Sequence, residues 1–143
     1  MTAAAPWRTG VRVVRAGALR ATRRGPGRGR ATVFDFAGTG GRQTWIGTAT
    51  LPPGGGNDAH HHGRHEVALY VVKGRTRIRW GDRLEYAADL GPGDFAYFTP
   101  YVPHRERNLD DAEPVDFVVV RSDDEGIVVG LDVVPVEPPE MVV

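Results

Sequence analysis

The chain has 143 residues, of which 41% are hydrophobic and 25% are charged, and its formal net charge is zero. This length and composition are typical of one globular domain that buries its own core. The chain has no cysteine, which excludes disulfides, thiol nucleophiles and thiolate metal sites. No apolar stretch approaches the ~20 residues that cross a bilayer.

The N-terminal part is strongly basic. Residues 1–34 carry eight arginines and no acid, whereas eleven acids and two arginines lie from Glu106 onward. A nucleic-acid or targeting arm is one interpretation. We favour the other, in which the basic and acidic ends lie near each other within or between subunits. We expect residues 1–30 to hold an N-terminal strand at 11–14 and a Gly- and Arg-rich loop at 23–30, and we expect no secretory signal.

Residues 31–136 are predicted to form short strands separated by turns. The 19 glycines and 11 prolines, without a long helix-forming run, favour tight turns. In residues 75–80 arginines alternate with Thr76, Ile78 and Trp80, which predicts a strand with a wet arginine face. The predicted strands are 31–36, 44–51, 66–72, 75–80, 84–88, 95–98, 115–120 and 127–134. This spacing indicates a single all-β sandwich or barrel, followed by a C-terminal tail at 137–143.

The histidines are the candidate functional residues. Four of the five lie between residues 60 and 65, and the fifth is His104. Alternate residues of a strand point to the same side, so His60 and His62 would project together. Neutral imidazole is the commonest metal ligand, and a third ligand from another strand would complete a facial set with room for water or substrate. A solvated histidine patch is the alternative, but this cluster follows a turn and leads into a core strand.

The surrounding residues resemble the two motifs of the cupin superfamily. In the first motif, Gly54, His60, His62 and Glu66 match in spacing, while Gly74 falls one residue late. In the second motif, Gly93, His104 and Asn108 match, while Thr99 and Tyr101 stand where the family has proline and glycine. The resemblance covers roughly residues 45–121. It implies a single-domain cupin β-barrel, also called a double-stranded β-helix or jelly roll, over residues 31–136, with an extra N-terminal strand.

The same resemblance implies one divalent metal ion per chain, held by His60, His62, His104 and Glu66. Strand alternation would place Glu66 on the face of His60 and His62. However, if Gly74 sets the register, Val67 takes the carboxylate position, so a bulge must restore Glu66 or the ligands are histidines alone. His65 is the other candidate for a fourth ligand. As a non-ligand, Glu66 could hydrogen-bond to a metal ligand or act as a general acid or base.

Further pocket residues are less strongly indicated. The alternation that turns Glu66 inward would also turn Ala68 and Tyr70 inward, so Tyr70 is a candidate for substrate contact, although a core role is more common. Arg64 and Arg105 flank ligand positions and could hold an anionic substrate, although most such arginines are solvated.

Cupins include isomerases, dioxygenases, decarboxylases, lyases and non-catalytic binders, so the fold does not settle the reaction. The stretches HHHGRHE and GDFAYFTPYVPH are similar to small bacterial cupins and to the cupin domain of hydrazine synthetases, a zinc domain thought to form an N–N bond on an aminoacyl ester. A separate synthetase-like partner enzyme would then be required.

We therefore expect a cytoplasmic, homodimeric metalloenzyme for a small polar metabolite, with zinc as the metal and Fe(II) or Mn as alternatives. The competing hypotheses are a non-haem iron dioxygenase, which a facial histidine set would also suit, and a non-catalytic small-molecule-binding module. Nucleic-acid binding through the basic N-terminus is the weakest rival, and it predicts binding that collapses with added salt.

Overall fold

The computed structural model describes residues 7–18, 21–23 and 29–142, and almost all of its regular secondary structure is β-strand. A 3-10 turn (Ala16–Ala18) and one short helix, α1 (Phe36–Thr39), interrupt them. The strands are β1 (Ala21–Arg23), β2 (Gly29–Phe34), β3 (Trp45–Leu51), β4 (His60–His61), β5 (Val67–Lys73), β6 (Thr76–Trp80), β7 (Tyr86–Leu90), β8 (Phe95–Phe98), β9 (His104–Asn108), β10 (Val115–Arg121), β11 (Val129–Gly130) and β12 (Glu140–Met141). Within the described residues, neither helical segment has the length and apolarity that a membrane span requires.

Two six-stranded sheets form the molecule. One has the order β1-β2-β3-β10-β5-β8 and the other the order β11-β4-β9-β6-β7-β12. Neighbouring strands are antiparallel except for β12, which runs parallel to β7. Because neighbours in space are mostly distant in sequence, the chain crosses repeatedly between the sheets. This arrangement is the all-β jelly roll that the sequence predicts.

The core lies between the sheets and is built by strand alternation. In β5, Val67, Leu69 and Val71 are at most 5% exposed, while Ala68 and Tyr70 between them are only half-buried. The core cluster consists of Leu51, Val67, Leu69, Val71, Ile78, Leu90, Phe98, Val115 and Phe117. Each such side chain contributes about 1.5–3 kcal/mol of burial free energy, so this cluster holds the two sheets together.

Several elements differ from the sequence predictions. Residues 11–14 form no strand, and Val11 and Val13 are 82% and 66% exposed, so they pack against little that would hold an extended segment in place. The predicted strand at 127–134 shrinks to the two residues of β11. The predicted loop at 23–30 lies largely outside the described residues. β9, which carries His104, is a strand that the sequence analysis does not predict, because its charged sequence HRERN has no apolar alternation.

The C-terminal segment, which the sequence presents as a tail, is joined to the second sheet. Glu140 pairs with Tyr86 of β7 in parallel register. Arg79 of β6 explains the attachment. Its guanidinium donates hydrogen bonds to the carbonyl oxygens of Leu84 and Val136. It also donates to Glu137, with 2.6 Å between Nη1 of Arg79 and Oε1 of Glu137. Arg79 is therefore on the arginine face of β6, as predicted, but it is only 6% exposed because the C-terminal segment covers it.

Candidate metal centre

Three of the five histidines meet inside the molecule. His60 begins β4, His104 begins β9, and these two residues pair directly across the two strands. His62 directly follows β4. All three are buried, with exposures of 8% for His60, 9% for His62 and 1% for His104. Their possible ligand atoms all lie within 4.8 Å of one another, so the three imidazoles could hold one metal ion.

Backbone hydrogen bonds orient all three imidazole rings in the same way. Nδ1 of His60 lies 2.7 Å from the carbonyl oxygen of Asp58, and Nδ1 of His104 lies 2.9 Å from that of Val102. Nδ1 of His62 lies 2.9 Å from the carbonyl oxygen of Ile127. A carbonyl only accepts, so each Nδ1 must carry the proton, which leaves the Nε2 lone pair of each neutral ring for a metal. This second layer of contacts is typical of metal-binding histidines.

Burial keeps two of these rings, those of His62 and His104, neutral. It lowers the pKa of His62 to about 4, although the Ile127 carbonyl and Asp123 oppose the shift; the charges of His60 and Arg121 lower it further. Burial also lowers the pKa of His104 to about 3, against the opposing effect of the Val102 carbonyl. A metal ion requires the deprotonated imidazole, so His62 and His104 are ready to bind at neutral pH.

The loops beside the site are tied together. Gly63, with φ of 64°, turns the chain away from the strand direction directly after His62. Its carbonyl oxygen accepts a hydrogen bond of 2.8 Å from the N–H of Tyr101, in the loop that leads to His104. The deviation from the family motif at Tyr101 thus lies at a contact between the two histidine-bearing segments, and Tyr101 itself adopts a positive φ of 64°.

The structure does not bring Glu66 to the three histidines. Its side chain is exposed, and Oε1 accepts a hydrogen bond from the hydroxyl of Tyr97. The turn at Gly63 interrupts the strand between His62 and β5, so alternation cannot be counted across it. As a result Val67 points inward and Glu66 outward, contrary to our expectation from alternation.

The other candidates also lie away from the histidine group. Tyr70 shares the outer face with Glu66, and its ring packs against Phe95 at 4.7 Å between centroids. Arg64 is exposed in the turn. His65 lies 3.5 Å from the hydroxyl of Ser122 through Nδ1, and it is not among the grouped ligands.

A cavity of about 410 Å³ opens beside His60 and His62. Its apolar wall includes Leu69, Phe117 and Val119. Three charged residues that our sequence reasoning did not select also line it: Asp58, Glu106 and Arg121. Glu106 could have been found by counting two residues on from His104 along a strand, and Arg121 by its charge at the end of the apolar run VDFVVV.

A second cavity, of about 570 Å³, lies between β8 and the β6–β7 hairpin. Ile78, Trp80, Leu90 and Phe98 line it, and none of the three grouped histidines does. The ring of Phe98 packs against His104 at 4.3 Å between centroids. Of the three grouped histidines, His60 and His62 line the first cavity.

Two facing sheets with three grouped, buried imidazoles, two of which line a cavity, define a β-barrel protein with a candidate histidine metal site. A family model described as the cupin domain matches residues 47–121, more than half of the chain. The chain therefore belongs to the cupin family. No curated protein matches it significantly.

Solved structures share the fold at low sequence identity. An uncharacterised conserved protein with a double-stranded β-helix domain from Klebsiella pneumoniae is 19% identical, with 78% of this chain and 90% of that chain covered and a TM-score of 0.62. KdgF from Halomonas sp. is also 19% identical, covering 74% and 88% with a TM-score of 0.61. Oxalate decarboxylase from Lactobacillus farciminis is 19% identical with a TM-score of 0.67; 80% of this chain aligns, but it spans only 34% of that enzyme.

Proposed function

We propose that the protein is a metal-dependent cupin enzyme acting on a small polar metabolite, with one divalent ion held by His60, His62 and His104. One observation carries the proposal: three buried imidazoles, each with Nδ1 at a backbone carbonyl, have possible ligand atoms within 4.8 Å of one another, and two of the three line a cavity. Burying three polar imidazoles in fixed orientations costs free energy and has no evident purpose in a core without a ligand.

Zinc is the metal we propose, because three neutral nitrogen donors without a carboxylate or thiolate suit it. When bound, the ion would supply Lewis-acid polarisation of a carbonyl or amine, or a more acidic water. The reaction classes we favour are an N–N bond-forming rearrangement and lyase-type chemistry. A separate synthetase-like partner, a homodimeric state and a cytoplasmic location stay predictions from the sequence.

Within this proposal, the acid–base role moves from Glu66 to Glu106. Glu106 lines the cavity with His60 and His62, whereas Glu66 faces outward. Asn57 holds Glu106 in place: its Oδ1 accepts the Glu106 N–H at 2.6 Å, and its Nδ2 lies 3.4 Å from Oε2. A carboxylate fixed at the cavity wall could take a proton from substrate or return it.

A non-haem iron dioxygenase is the second candidate, favoured by the same histidine set, since iron(II) oxygenases also use few protein ligands and keep positions open. A non-catalytic binding module is the third. It predicts a ligand in the cavity and either no metal or a closed coordination shell.

Elemental analysis of tag-free protein purified without chelator tests the proposal. We expect about one zinc per chain, and loss of at least about 100-fold in metal affinity for His104→Ala, since even indirect contacts to a metal contribute 10–100-fold. His61→Ala is the matched control, because His61 accepts the Gly63 N–H at 2.9 Å and lies outside the grouped ligands. Iron in place of zinc would favour the dioxygenase and lead to oxygen-uptake assays. Absence of metal from the wild type would overturn the proposal.

A further inference from the structure

The outer face of the first sheet, β1-β2-β3-β10-β5-β8, is apolar across four of its strands. The strand registers place four side chains next to one another in each of two rows that cross β3, β10, β5 and β8. One row consists of Ile46, Val120, Ala68 and Tyr97, and the other of Thr48, Val118, Tyr70 and Phe95. Neither row holds a charged residue. We call these two rows, together with Val72 on the same side of β5, the outer apolar face.

The outer face of the second sheet has the opposite character. There, β6 and β9 carry four arginines in direct register, with Arg77 opposite Arg107 and Arg79 opposite Arg105. An antiparallel sheet with one face in water normally has apolar residues inside and polar or charged residues outside. The second sheet follows this rule and the first does not, so contact with water does not explain the composition of the outer apolar face.

The outer apolar face is open in the part of the chain that the structure describes. Phe95 is 76% exposed, Tyr97 57%, Val72 51% and Val120 37%. The rings of Phe95 and Tyr70 pack together with 4.7 Å between their centroids, so the aromatic side chains form a continuous surface. A contiguous apolar patch of this kind marks an interaction site, whereas single exposed apolar residues need no explanation.

The carboxylates that border this face have partners of their own. Glu66 accepts a hydrogen bond from the hydroxyl of Tyr97, and Oδ1 of Asp116 accepts one of 2.8 Å from the hydroxyl of Thr50. An apolar centre with a polar rim is the anatomy of a protein–protein interface. The two rows contain neither arginine nor lysine, the residues with which proteins bind polyanions and anionic membranes.

The area of the face agrees with what a homodimer requires. Large aromatic side chains offer roughly 150–250 Å² each, so the exposed and half-buried side chains of the face together present about 500 Å² of apolar surface. A dimer of standard size buries about 800 Å² on each copy, and about 65% of a homodimer interface is apolar. A second copy of the face supplies the same apolar area, and packing about a two-fold axis covers both faces at once.

We propose that two copies of the chain pack outer apolar face against outer apolar face about a two-fold axis, with Phe95 and Tyr97 at the contact. Pleated sheets with apolar faces pack in this manner inside β-sandwiches, about 10 Å apart. The proposal assigns the homodimer expected from the sequence to one surface of the molecule. It does not depend on the metal, because the histidine cavity lies on the inner side of the sheets.

Sedimentation velocity of the full-length chain over a range of concentrations tests this interface. We expect the wild type to sediment as a dimer. Phe95→Glu should raise the dimer dissociation constant at least about 30-fold, because it places a charge against apolar side chains at the contact. Val72→Glu repeats the test at a second position. Val134→Glu is the matched control and should dimerise as the wild type does, since Val134 is 81% exposed but lies between β11 and β12 of the second sheet.

Thiol reactivity gives a second measurement with a substitution of similar size. The chain has no cysteine, so Val120→Cys introduces a single thiol into the outer apolar face. We expect iodoacetamide to alkylate this thiol at least tenfold more slowly at concentrations where the protein is dimeric than at concentrations where it is monomeric. Val134→Cys should react at the same rate under both conditions.

Three results would overturn the proposal. One is a wild type that stays monomeric at about 100 μM. Another is dimerisation of both Phe95→Glu and Val72→Glu as tight as that of the wild type. The third is an equal loss in Val134→Glu, because the contact would then involve the second sheet. If circular dichroism shows that Phe95→Glu does not fold, Val72→Glu and the thiol of Val120→Cys decide the question.

Discussion

Glu66 and Glu106 are the two glutamates near the histidine segments, and their surroundings differ. Glu66 lies on the outer face and accepts a hydrogen bond from Tyr97, which raises the pKa of that tyrosine hydroxyl. Glu106 lies at the cavity wall and is fixed by Asn57. A carboxylate can ligate a metal only when its oxygen reaches the ion. The direction of the side chain, and not its position in a motif, therefore determines whether a glutamate is a ligand.

We therefore predict that Glu66→Gln leaves metal affinity unchanged within threefold. The substitution removes the carboxylate charge but alters nothing among the three grouped histidines. Competition with a chromogenic chelator, measured beside His104→Ala, checks this prediction. A loss of tenfold or more in Glu66→Gln would mean that Glu66 turns inward when metal binds.

The strands differ in how clearly the sequence encodes them. β3, β5, β6, β8 and β10 follow from alternating or apolar runs, because each buries one face in the core. β4, β11 and β12 have two residues each, too short for any periodicity, and tertiary pairing alone defines them. Our expectation placed Glu66 on the wrong face for a related reason. Side chains alternate only along a continuous strand, and the turn at Gly63 interrupts the strand before Glu66.

The attachment of the C-terminal segment through Arg79 gives a prediction at the level of this element. Arg79→Met leaves the carbonyl oxygens of Leu84 and Val136 without this donor, so we expect a loss of about 2–4 kcal/mol in the free energy of unfolding. Urea denaturation measures it. Arg77→Met on the same strand is the control: Arg77 forms a partly exposed ion pair with Asp89 at 2.6 Å, which should contribute less than about 1 kcal/mol. Equal losses in the two variants would contradict the role assigned to Arg79.

At the scale of the whole molecule, the site depends on both sheets. β4 and β9 of one sheet carry His60 and His104, while β10 of the other supplies Arg121. The spacing of motif residues was enough to predict the histidines, because family motifs mark the positions that meet in the barrel. Arg121 and Glu106 belong to no such motif in our reasoning, so only the folded arrangement brings them to the cavity.

Burial of the histidines in the metal-free protein also makes its stability depend on pH. In the folded state the pKa is about 4 for His62 and about 3 for His104, whereas both are near 6.5 in an unfolded chain. Between these values the unfolded chain binds more protons than the folded protein. The free energy of unfolding therefore falls as the pH is lowered through 6.5 toward 4, by about 1 kcal/mol per pH unit for each histidine.

Denaturant unfolding of metal-free protein between pH 6.5 and 5 isolates this effect, since most carboxylates stay ionised there. We expect His104→Ala to have a shallower slope than the wild type, by about 1 kcal/mol per pH unit, because one buried neutral imidazole is removed. Parallel slopes would mean that His104 takes up a proton as easily in the folded protein as in the unfolded chain. The imidazole would then be accessible to water, and the buried, preformed ligand set on which the metal proposal depends would not exist in solution.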